Sequence, residues 1–339
     1  MTVPYFKGPL YIGPMISDNN KTRTTSTTVD AGDAGKRLDA YLAERFTYLS
    51  RTEWQSHIQN ARILLNGVKS RSSRKLQAGE CIEFLADDIE EPPVDKKHEV
   101  VFSDEYLVVV SKSGNLPCHP AGPFFKNTLW YLLAEKFGKL YFINRIDRET
   151  SGLVLLSRNP EIAAGMSDSH CEIRKRYIVL VHGDFPAEYH AKGYLMPDEK
   201  SAVRKKRKFA ESAKPPHGNP EYAETKFRLL GSGPEMSVVE AELVTGRLHQ
   251  IRATLCSLGF PLLGDKIYGR DESAYIRFVR GEMTDADMRL LVLGRQALHA
   301  FTLGIKHPIT GEALSFKAEI PDDIKNLLLK FPGINIDKL

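Results

Sequence analysis

The sequence contains too few cysteines, too widely spaced, for the usual cysteine-based sites. Its 339 residues include four cysteines, and no two of them have the short spacing typical of a zinc site or a disulfide framework. Long apolar runs are also missing, because none approaches the roughly 18 residues of a membrane span. The first residues lack the apolar core of a signal peptide. We therefore expect a cytoplasmic protein with free thiols and no membrane partner.

Two further absences narrow the chemistry. The sequence has no glycine-rich phosphate-binding loop and no pair of histidines at metal-ligand spacing, so we expect neither a nucleotide cofactor nor a metal site. The net charge is only +4, which permits an anionic partner without requiring one. The placement of the charges is therefore more informative than their sum. The length is sufficient for one large domain and one smaller domain.

Composition divides the first hundred residues into three parts. Residues 1–27 are rich in Thr, Ser, Asn, Pro and Gly without any periodicity, which predicts a flexible tail. Residues 28–88 show the helical and β patterns of a small folded module. Residues 89–98 are acidic, include two prolines and predict a linker.

The module at 28–88 has a recognisable order of elements. Two short helices are expected, the second opened by a capping box of Ser50 and Glu53. Asn66 and Gly67 suit the left-handed turn of a following hairpin. This order resembles the alpha-L RNA-binding module of several RNA-modifying enzymes and a ribosomal protein, although a generic helix-plus-hairpin domain remains an alternative. The cations that would contact RNA are Lys69, Arg71, Arg74 and Lys75.

Residues 99–339 interleave strands with helices. Strands outnumber helices, which favours an α+β class with a central mixed, mainly antiparallel β-sheet flanked by helices. Residues 192–220 have the composition of a basic insertion, and its run of five cations is either a solvated loop or an arm for phosphates. Its five consecutive cations are Arg204, Lys205, Lys206, Arg207 and Lys208.

One carboxylate stands out in the stretch "INRIDRETSGLVLLSRN". Asp147 lies between Arg145 and Arg148, on a predicted turn before an aliphatic strand. A surface ion pair is the common explanation of such a pattern, and a carboxylate held ionised as a nucleophile is the alternative. Two distant segments favour the nucleophile: "TGRLHQIR", which contains Arg252, and "RKRYIVLVHG", which places Tyr177 at the start of a buried strand.

Four segments occur in the order found in RluA-type RNA pseudouridine synthases. They are "RIDRETSGLVLL", "KRYIVLVHG", "TGRLHQIRATLCSLGFPLLGDKIYG" and "LHAFTLGIKHPITGEALSF". The chain thus resembles this family over most of residues 100–322. The resemblance implies the pseudouridine synthase fold and the isomerisation of a uridine in structured RNA to pseudouridine, with no cofactor.

The resemblance also implies the roles of individual residues. Asp147 matches the catalytic aspartate, Tyr177 the active-site tyrosine, and Arg252 the basic residue that pairs with the aspartate. Arg148 matches the arginine that enters the RNA stack in place of the flipped nucleotide. Further RNA contacts are expected from Asn144, Arg145, Arg247, His249 and Gln250. The family usually has His where this chain has Asn144, which leaves the contact of that imidazole in doubt.

The sequence is compatible with three functions. The first is an RNA pseudouridine synthase acting on ribosomal or transfer RNA, expected to be a monomer. The second is a non-catalytic RNA-binding or ribosome-assembly factor on the same fold, for which Asn144 is the sequence support. The third is a carboxylate-based hydrolase of small molecules, which would need a second catalytic acid.

Overall fold

The computed structural model describes most of the chain. The described ranges are 23–46, 50–86, 91–121, 123–167 and 172–329. The chain divides into two compact units, of which the first ends at Glu91 and the second begins at Pro92. This division falls inside the predicted linker of residues 89–98.

The first unit is a small antiparallel sheet with two helices. Its elements are β1 (Arg23–Thr28), α1 (Leu38–Arg45), α2 (Arg51–Gln59), β2 (Ile63–Leu65), β3 (Val68–Lys69) and β4 (Cys81–Ala86), with strand order β1-β4-β2-β3. The capping box is present at the start of α2, where the Ser50 hydroxyl accepts from the backbone N–H of Glu53. Asn66 and Gly67 join β2 to β3 with φ angles of 51° and 78°, as expected of a hairpin turn.

The predicted tail is shorter than its composition suggested. Residues 23–27 belong to β1, which pairs with β4 from Arg23 opposite Ala86 to Thr28 opposite Cys81. Threonine is β-branched and suits a strand, and pairing satisfies the backbone groups that the edge of β4 would otherwise leave open. Residues 1–22 of the predicted tail lie outside the described residues.

The second unit is built on an 11-stranded sheet. Its strands are β5 (His98–Ser103), β6 (Leu107–Lys112), β7 (Tyr141–Phe142), β8 (Ser151–Ser157), β9 (Arg174–His182), β10 (Glu188–Pro197), β11 (Arg207–Glu211), β12 (Glu221–Gly233), β13 (Met236–Leu243), β14 (Leu298–Lys306) and β15 (Ala313–Lys317). Its helices are α3 (Leu129–Phe137), α4 (Pro160–Ser167), α5 (Gln250–Ser257), α6 (Ser273–Arg280), α7 (Asp285–Leu291) and α8 (Asp322–Leu328).

The strand order confirms the predicted α+β class. The main path runs β11-β10-β12-β13-β9-β14-β8-β6-β5, with β15 beside β14 and β7 beside β8. Strands β14 and β8 run parallel, and the other named pairs of described strands are antiparallel. The sheet is therefore mixed and mainly antiparallel, as the sequence predicted.

The alternation of β9 sets the two faces of the sheet. Tyr177 and Val179 point into a core shared with Ile251 of α5, whereas Ile178 packs with Ile324 of α8 on the other face. Burying an aliphatic side chain of this size stabilises the fold by roughly 1.5–3 kcal/mol. The period of two along the strand thus assigns Tyr177 to the face covered by α5.

A glycine allows β8 to begin close to β14. Gly152 has a φ of +105°, and a Cβ there would lie 2.1 Å from the carbonyl oxygen of Ala300. Any other residue would displace one of the two strands. Since Asp147 lies just ahead of β8, this contact fixes the distance of its turn from β14.

The basic insertion is part of the sheet. Residues 192–197 belong to β10 and residues 207–211 to β11, paired with Gly193 opposite Glu211 and Pro197 opposite Arg207. Of the five consecutive cations, the first three lie in the connection between β10 and β11, and Arg207 and Lys208 begin β11. Phe209, directly after the run, is buried, and its neighbours in β11 are more exposed, so the end of the run continues into a strand that its charge obscured.

Candidate active site

The turn that carries Asp147 is held through its backbone. The Lys112 Nζ donates to the carbonyls of residues 148 and 150, and the Arg295 Nη1 donates to the carbonyl of residue 149. Burial lowers the pKa of Lys112 to about 8, so its ammonium remains mostly protonated at neutral pH. Two cations thus fix three successive carbonyls beside the carboxylate.

Arg252 joins two carboxylates from opposite sides. Its Nη1 donates to Asp147 Oδ2 at 2.7 Å, while its Nε and Nη2 donate to the two oxygens of Asp265 at 2.6 and 2.8 Å. Arg252 and Asp265 are 5% and 0% exposed. The planar guanidinium fork suits this double pairing, which a lysine ammonium could not reproduce.

The Asp147 carboxyl is ionised at neutral pH. Burial alone would raise its pKa, but the charge of Arg252 opposes burial, and the net effect lowers the pKa of Asp147 below its ordinary value. Hydrogen bonds from Arg252 and Gln296 act in the same direction. The Asp147 side chain is 26% exposed, so an ionised carboxylate is open to a ligand.

The two oxygens of Asp147 have different surroundings. Oδ2 accepts from Arg252 and, at 3.3 Å, from the side-chain amide of Gln296. Oδ1 lies 3.9 Å from His249 Nε2, which is too long for a hydrogen bond. Within the described residues, Oδ1 is therefore the oxygen with unused lone pairs.

Tyr177 lies on the face of the sheet that is covered by α5, the helix that carries Arg252. Its side chain is 6% exposed, and burial together with the charge of Asp147 raises the pKa of its phenol. The phenol is therefore protonated at neutral pH. The structure thus brings together Asp147, Tyr177, Arg252 and His249, which the sequence placed on three separate segments.

The two arginines beside Asp147 differ in freedom. The Arg148 guanidinium pairs with Glu149 and lies 5.5 and 5.8 Å from the ring centroids of Phe124 and Phe278. Arg145 is exposed, and its side chain makes no hydrogen bond or ion pair with the described residues. Arg145 is thus the freer of the two cations.

Asn144 and Gln250 are occupied by the protein itself. Asn144 Oδ1 accepts from the backbone N–H of Leu155 at 2.7 Å, which ties the turn of Asp147 to β8. Gln250 is 2% exposed, and its amide bonds Thr245, the backbone N–H of Arg247 and the backbone of Glu224. The prediction of an RNA contact for Gln250 is not supported, because no part of the amide is left for a ligand.

The predicted basic residues fall into exposed and structural groups. Arg247 is exposed and donates to the carbonyl of Tyr222. In the basic run, the side chain of Lys206 is 14% exposed and pairs with Glu272. The exposed cations of the run are Arg204, Lys205 and Lys208, and those of the first unit are Lys69, Arg71, Arg74 and Lys75. Of the latter group, Arg74 pairs with Glu80.

Sequence reasoning misses several residues that shape this site. The pattern "LLGDKIYG" is typical of a structural turn, with a place near the pocket as the alternative, and it assigns no partner to either residue. In the structure its Asp265 anchors Arg252 and its Tyr268 contacts His249. Gln296 carries no sequence signal, since it lies 149 residues from its partner Asp147. For Asp265, the sequence gives one hint: it is an acidic residue within the largely apolar stretch that follows the segment of Arg252.

The described residues include neither a membrane-spanning helix nor a cluster of metal ligands. No helix there combines the length and apolar character needed to cross a lipid bilayer. No group of three or more His, Cys, Asp or Glu side chains there is arranged to hold a metal ion.

Comparison with known proteins gives consistent matches. A family model described as RNA pseudouridylate synthase matches residues 106–257. The chain is 32% identical over 321 residues to "Ribosomal large subunit pseudouridine synthase D" of Zymomonas mobilis subsp. mobilis, covering 90% of this chain and 96% of that protein. It is 28% identical to "Uncharacterized RNA pseudouridine synthase YlyB" of Bacillus subtilis, covering 89% of this chain and 96% of that protein.

A solved structure shares the fold. "Human RNA Pseudouridylate Synthase Domain Containing 1" aligns with a TM-score of 0.52 and 23% identity, covering 68% of this chain and 86% of the human chain. At this identity the likeness concerns the fold alone.

Proposed function

The chain belongs to the RNA pseudouridylate synthase family, and from this premise we propose that it isomerises a uridine of large-subunit ribosomal RNA, with Asp147 as the catalytic nucleophile. The enzyme is an RNA pseudouridine synthase, on the strength of a relative that matches along almost its whole length. The names of several relatives favour ribosomal over transfer RNA. The main support for the role of Asp147 is that its carboxylate is partly exposed and forms a hydrogen-bonded ion pair with the buried Arg252.

The chemistry requires an unprotonated group at the reacting sugar or base. The uracil–ribose bond must break and the base must rejoin through carbon, so a carboxylate has to stabilise the separated fragments in either version of the mechanism. Arg252 remains protonated throughout and keeps Asp147 in the reactive form. The reaction has no net redox change, so we propose that no cofactor takes part.

The target uridine has to leave its stack. Extruding the uridine from its stack costs a few kcal/mol, and stacking of the base on an aromatic side chain offsets about 1–3 kcal/mol of this cost. We propose that Tyr177 borders the flipped uracil. Tyr177 packs in the same core as Ile146 and Ile251, the chain neighbours of Asp147 and Arg252, so its ring lies on the side of the sheet where these two side chains meet.

The alternatives make different demands. A small-molecule hydrolase would need a second acid in contact with substrate, and Asp265 does not qualify because both its oxygens are bonded to Arg252 and it is 0% exposed. A non-catalytic assembly factor would need no ionised carboxylate in an open site.

The target can be identified by mapping pseudouridines in ribosomal and transfer RNA from cells with and without the protein. We expect at least one pseudouridine of large-subunit ribosomal RNA to disappear without the protein. An unchanged map would favour the assembly factor, and a loss confined to transfer RNA would contradict the proposed substrate.

We also propose that Arg145, rather than Arg148, fills the gap left by the flipped nucleotide. Arg145→Ala should lower kcat/KM roughly tenfold to a hundredfold, as expected when one stacking partner is removed, with little change in Tm. Arg148→Ala should mainly lower Tm, because its guanidinium is held by Glu149 and two rings. Single-turnover kinetics and thermal unfolding measure the two effects, and the reverse pattern would restore Arg148 to that role.

Phosphate contacts should come from the exposed cations only. Replacing Arg204, Lys205 and Lys208 together by Ala should reduce the slope of log affinity against log salt by roughly 0.7–0.9 for each phosphate that is no longer neutralised. Lys206→Ala is the matched control, since its ammonium pairs with Glu272 and its removal should lower Tm without changing the slope. RNA affinity measured at several salt concentrations decides between these outcomes, and an unchanged slope in the triple variant would contradict the proposal.

A further inference from the structure

The hydroxyl of Tyr268 has two hydrogen-bond partners among the described residues. It accepts from the backbone N–H of Arg207 at 2.9 Å and lies 3.0 Å from His249 Nδ1. The Tyr268 side chain is 0% exposed, so its own proton needs a protein acceptor. If His249 Nδ1 carried a proton, that proton would point at the hydroxyl, and the hydroxyl proton would lack an acceptor. Both groups have a hydrogen-bond partner when the Tyr268 hydroxyl donates to an unprotonated Nδ1.

The other ring nitrogen, Nε2, then carries the one N–H proton of the neutral imidazole. Burial lowers the pKa of His249 to about 4, so the ring is uncharged at neutral pH. Burial also raises the pKa of Tyr268, so its hydroxyl keeps the proton it donates. With Nδ1 unprotonated, the hydrogen lies on Nε2.

The position of His249 directs this N–H towards the catalytic carboxylate. Nε2 lies 3.9 Å from Asp147 Oδ1, the oxygen that neither Arg252 nor Gln296 occupies. The backbone of His249 has φ 55° and ψ 22°, a left-handed conformation that is uncommon outside glycine. It immediately precedes α5, and its carbonyl accepts from the backbone N–H of Ala253 at 2.9 Å. Both the backbone and the ring are therefore held in place.

We propose that His249 donates a hydrogen bond from Nε2 to an acceptor oxygen of the flipped uridine, and that Tyr268 is the positioning residue that fixes this tautomer. The acceptor is a uracil carbonyl oxygen or a ribose oxygen next to Asp147 Oδ1. The donor and the unused carboxylate oxygen lie side by side without bonding each other, so one ligand can reach both. The proposal rests on the proposed catalytic role of Asp147.

Tyr268 also connects this pair to the rest of the site. The centroid of its ring lies 4.9 Å from the Arg252 guanidinium carbon. Its hydroxyl accepts a hydrogen bond from the backbone N–H of Arg207, the first residue of β11. One buried side chain thus positions both the donor and the counter-ion of Asp147. A phenylalanine would keep the ring under Arg252 and lose only the hydroxyl.

The tautomer can be measured without RNA. Histidine side-chain ¹⁵N NMR of the full chain, assigned with His249→Gln, should show a proton on Nε2 and an unprotonated Nδ1 between about pH 6 and 8. In Tyr268→Phe, the His249 signals should move to a mixture of tautomers. A proton on Nδ1 in the wild type, or an unchanged tautomer in Tyr268→Phe, would overturn the assignment.

Kinetics tests the use of the donor. His249→Leu should lower the single-turnover rate by about 10²–10³-fold, the usual effect of removing one donor at a reacting centre, with RNA affinity nearly unchanged. His249→Gln retains an N–H near the position of Nε2 and should recover at least about tenfold of that loss. Tyr268→Phe should fall between them, and His217→Leu, at an exposed loop position, is the control.

The outcomes for the His249 and Tyr268 variants each support or overturn the proposed hydrogen bond from His249. Full activity of His249→Leu would overturn the proposal even if Asp147→Asn is inactive, so the two roles fail separately. If His249→Leu does not fold, the comparison of His249→Gln with Tyr268→Phe and the NMR result still decide. Equal rates for Leu and Gln variants that both fold would show that no N–H is used.

Discussion

Asp147→Asn is expected to abolish pseudouridine formation, lowering the single-turnover rate by about 10⁴-fold or more, the scale of nucleophile removal in other enzymes. The amide is isosteric, and its oxygen can still accept from Arg252 at the position of Oδ2. It cannot supply a negatively charged oxygen to the reacting sugar or base. RNA affinity should therefore remain within about threefold of the wild type, since only the reaction step is deprived of its group.

The controls for this prediction concern charge and chemical stability. Asp184→Asn removes one negative charge at an exposed position and should leave the rate unchanged. Asp147→Ala guards against slow conversion of the introduced amide back to a carboxylate. Product formed at the wild-type rate by either Asp147 variant would remove Asp147 from the mechanism.

Arg252→Met is expected to impair both stability and activity. It leaves Asp265 buried without its counter-ion, and breaking a buried pair from one side costs about 3–5 kcal/mol. It also removes the positive charge that opposes burial at Asp147. We expect the rate at neutral pH to fall by about 10²–10³-fold, as for other removals of a preorganised charged group. Thermal unfolding and single-turnover kinetics measure the two effects.

The pH dependence of Arg252→Met separates its two effects. In the wild type the pKa of Asp147 is lowered, so the ionised carboxylate is present above that pKa and disappears only as the pH falls through it. Without Arg252, burial dominates and raises the pKa. The acid limb of the rate profile should then move to higher pH, with partial recovery of activity as the pH rises. A lower rate with an unshifted acid limb would show that Arg252 does not control the ionisation of Asp147.

Arg252→Lys is the matched variant for charge. It keeps a cation, but an ammonium cannot bridge Asp147 and Asp265 with three directed N–H groups. Its acid limb should lie between those of the wild type and Arg252→Met. Its Tm should fall less than that of the methionine variant.

The sequence is informative where the signal is local. The capping box before α2 and the Asn66–Gly67 turn depend on neighbouring residues, and both are present. The mixed, mainly antiparallel sheet also follows from short strand patterns and the connections between them. The cap and the turn depend on backbone geometry and hydrogen bonds within a few residues, which a single sequence displays directly.

The rest of the site depends on contacts between distant segments. Asp265 lies 13 residues beyond Arg252 and Gln296 lies on a different segment from Asp147, so no periodicity relates them. A motif can also be misleading: Gln250 is expected to contact RNA from its place in "TGRLHQIR", but the Gln250 amide pairs with groups of the protein. Composition does not distinguish the exposed Lys205 from the paired Lys206, because that difference arises only when Lys206 meets Glu272 at the start of α6.

The most direct test replaces the chromosomal gene with the Asp147→Asn form and maps pseudouridine at the uridine identified by deletion. At normal protein level, we predict that this uridine stays unmodified, as in cells that lack the protein. Modification of the same uridine to the wild-type extent would contradict the assignment of Asp147 as the nucleophile.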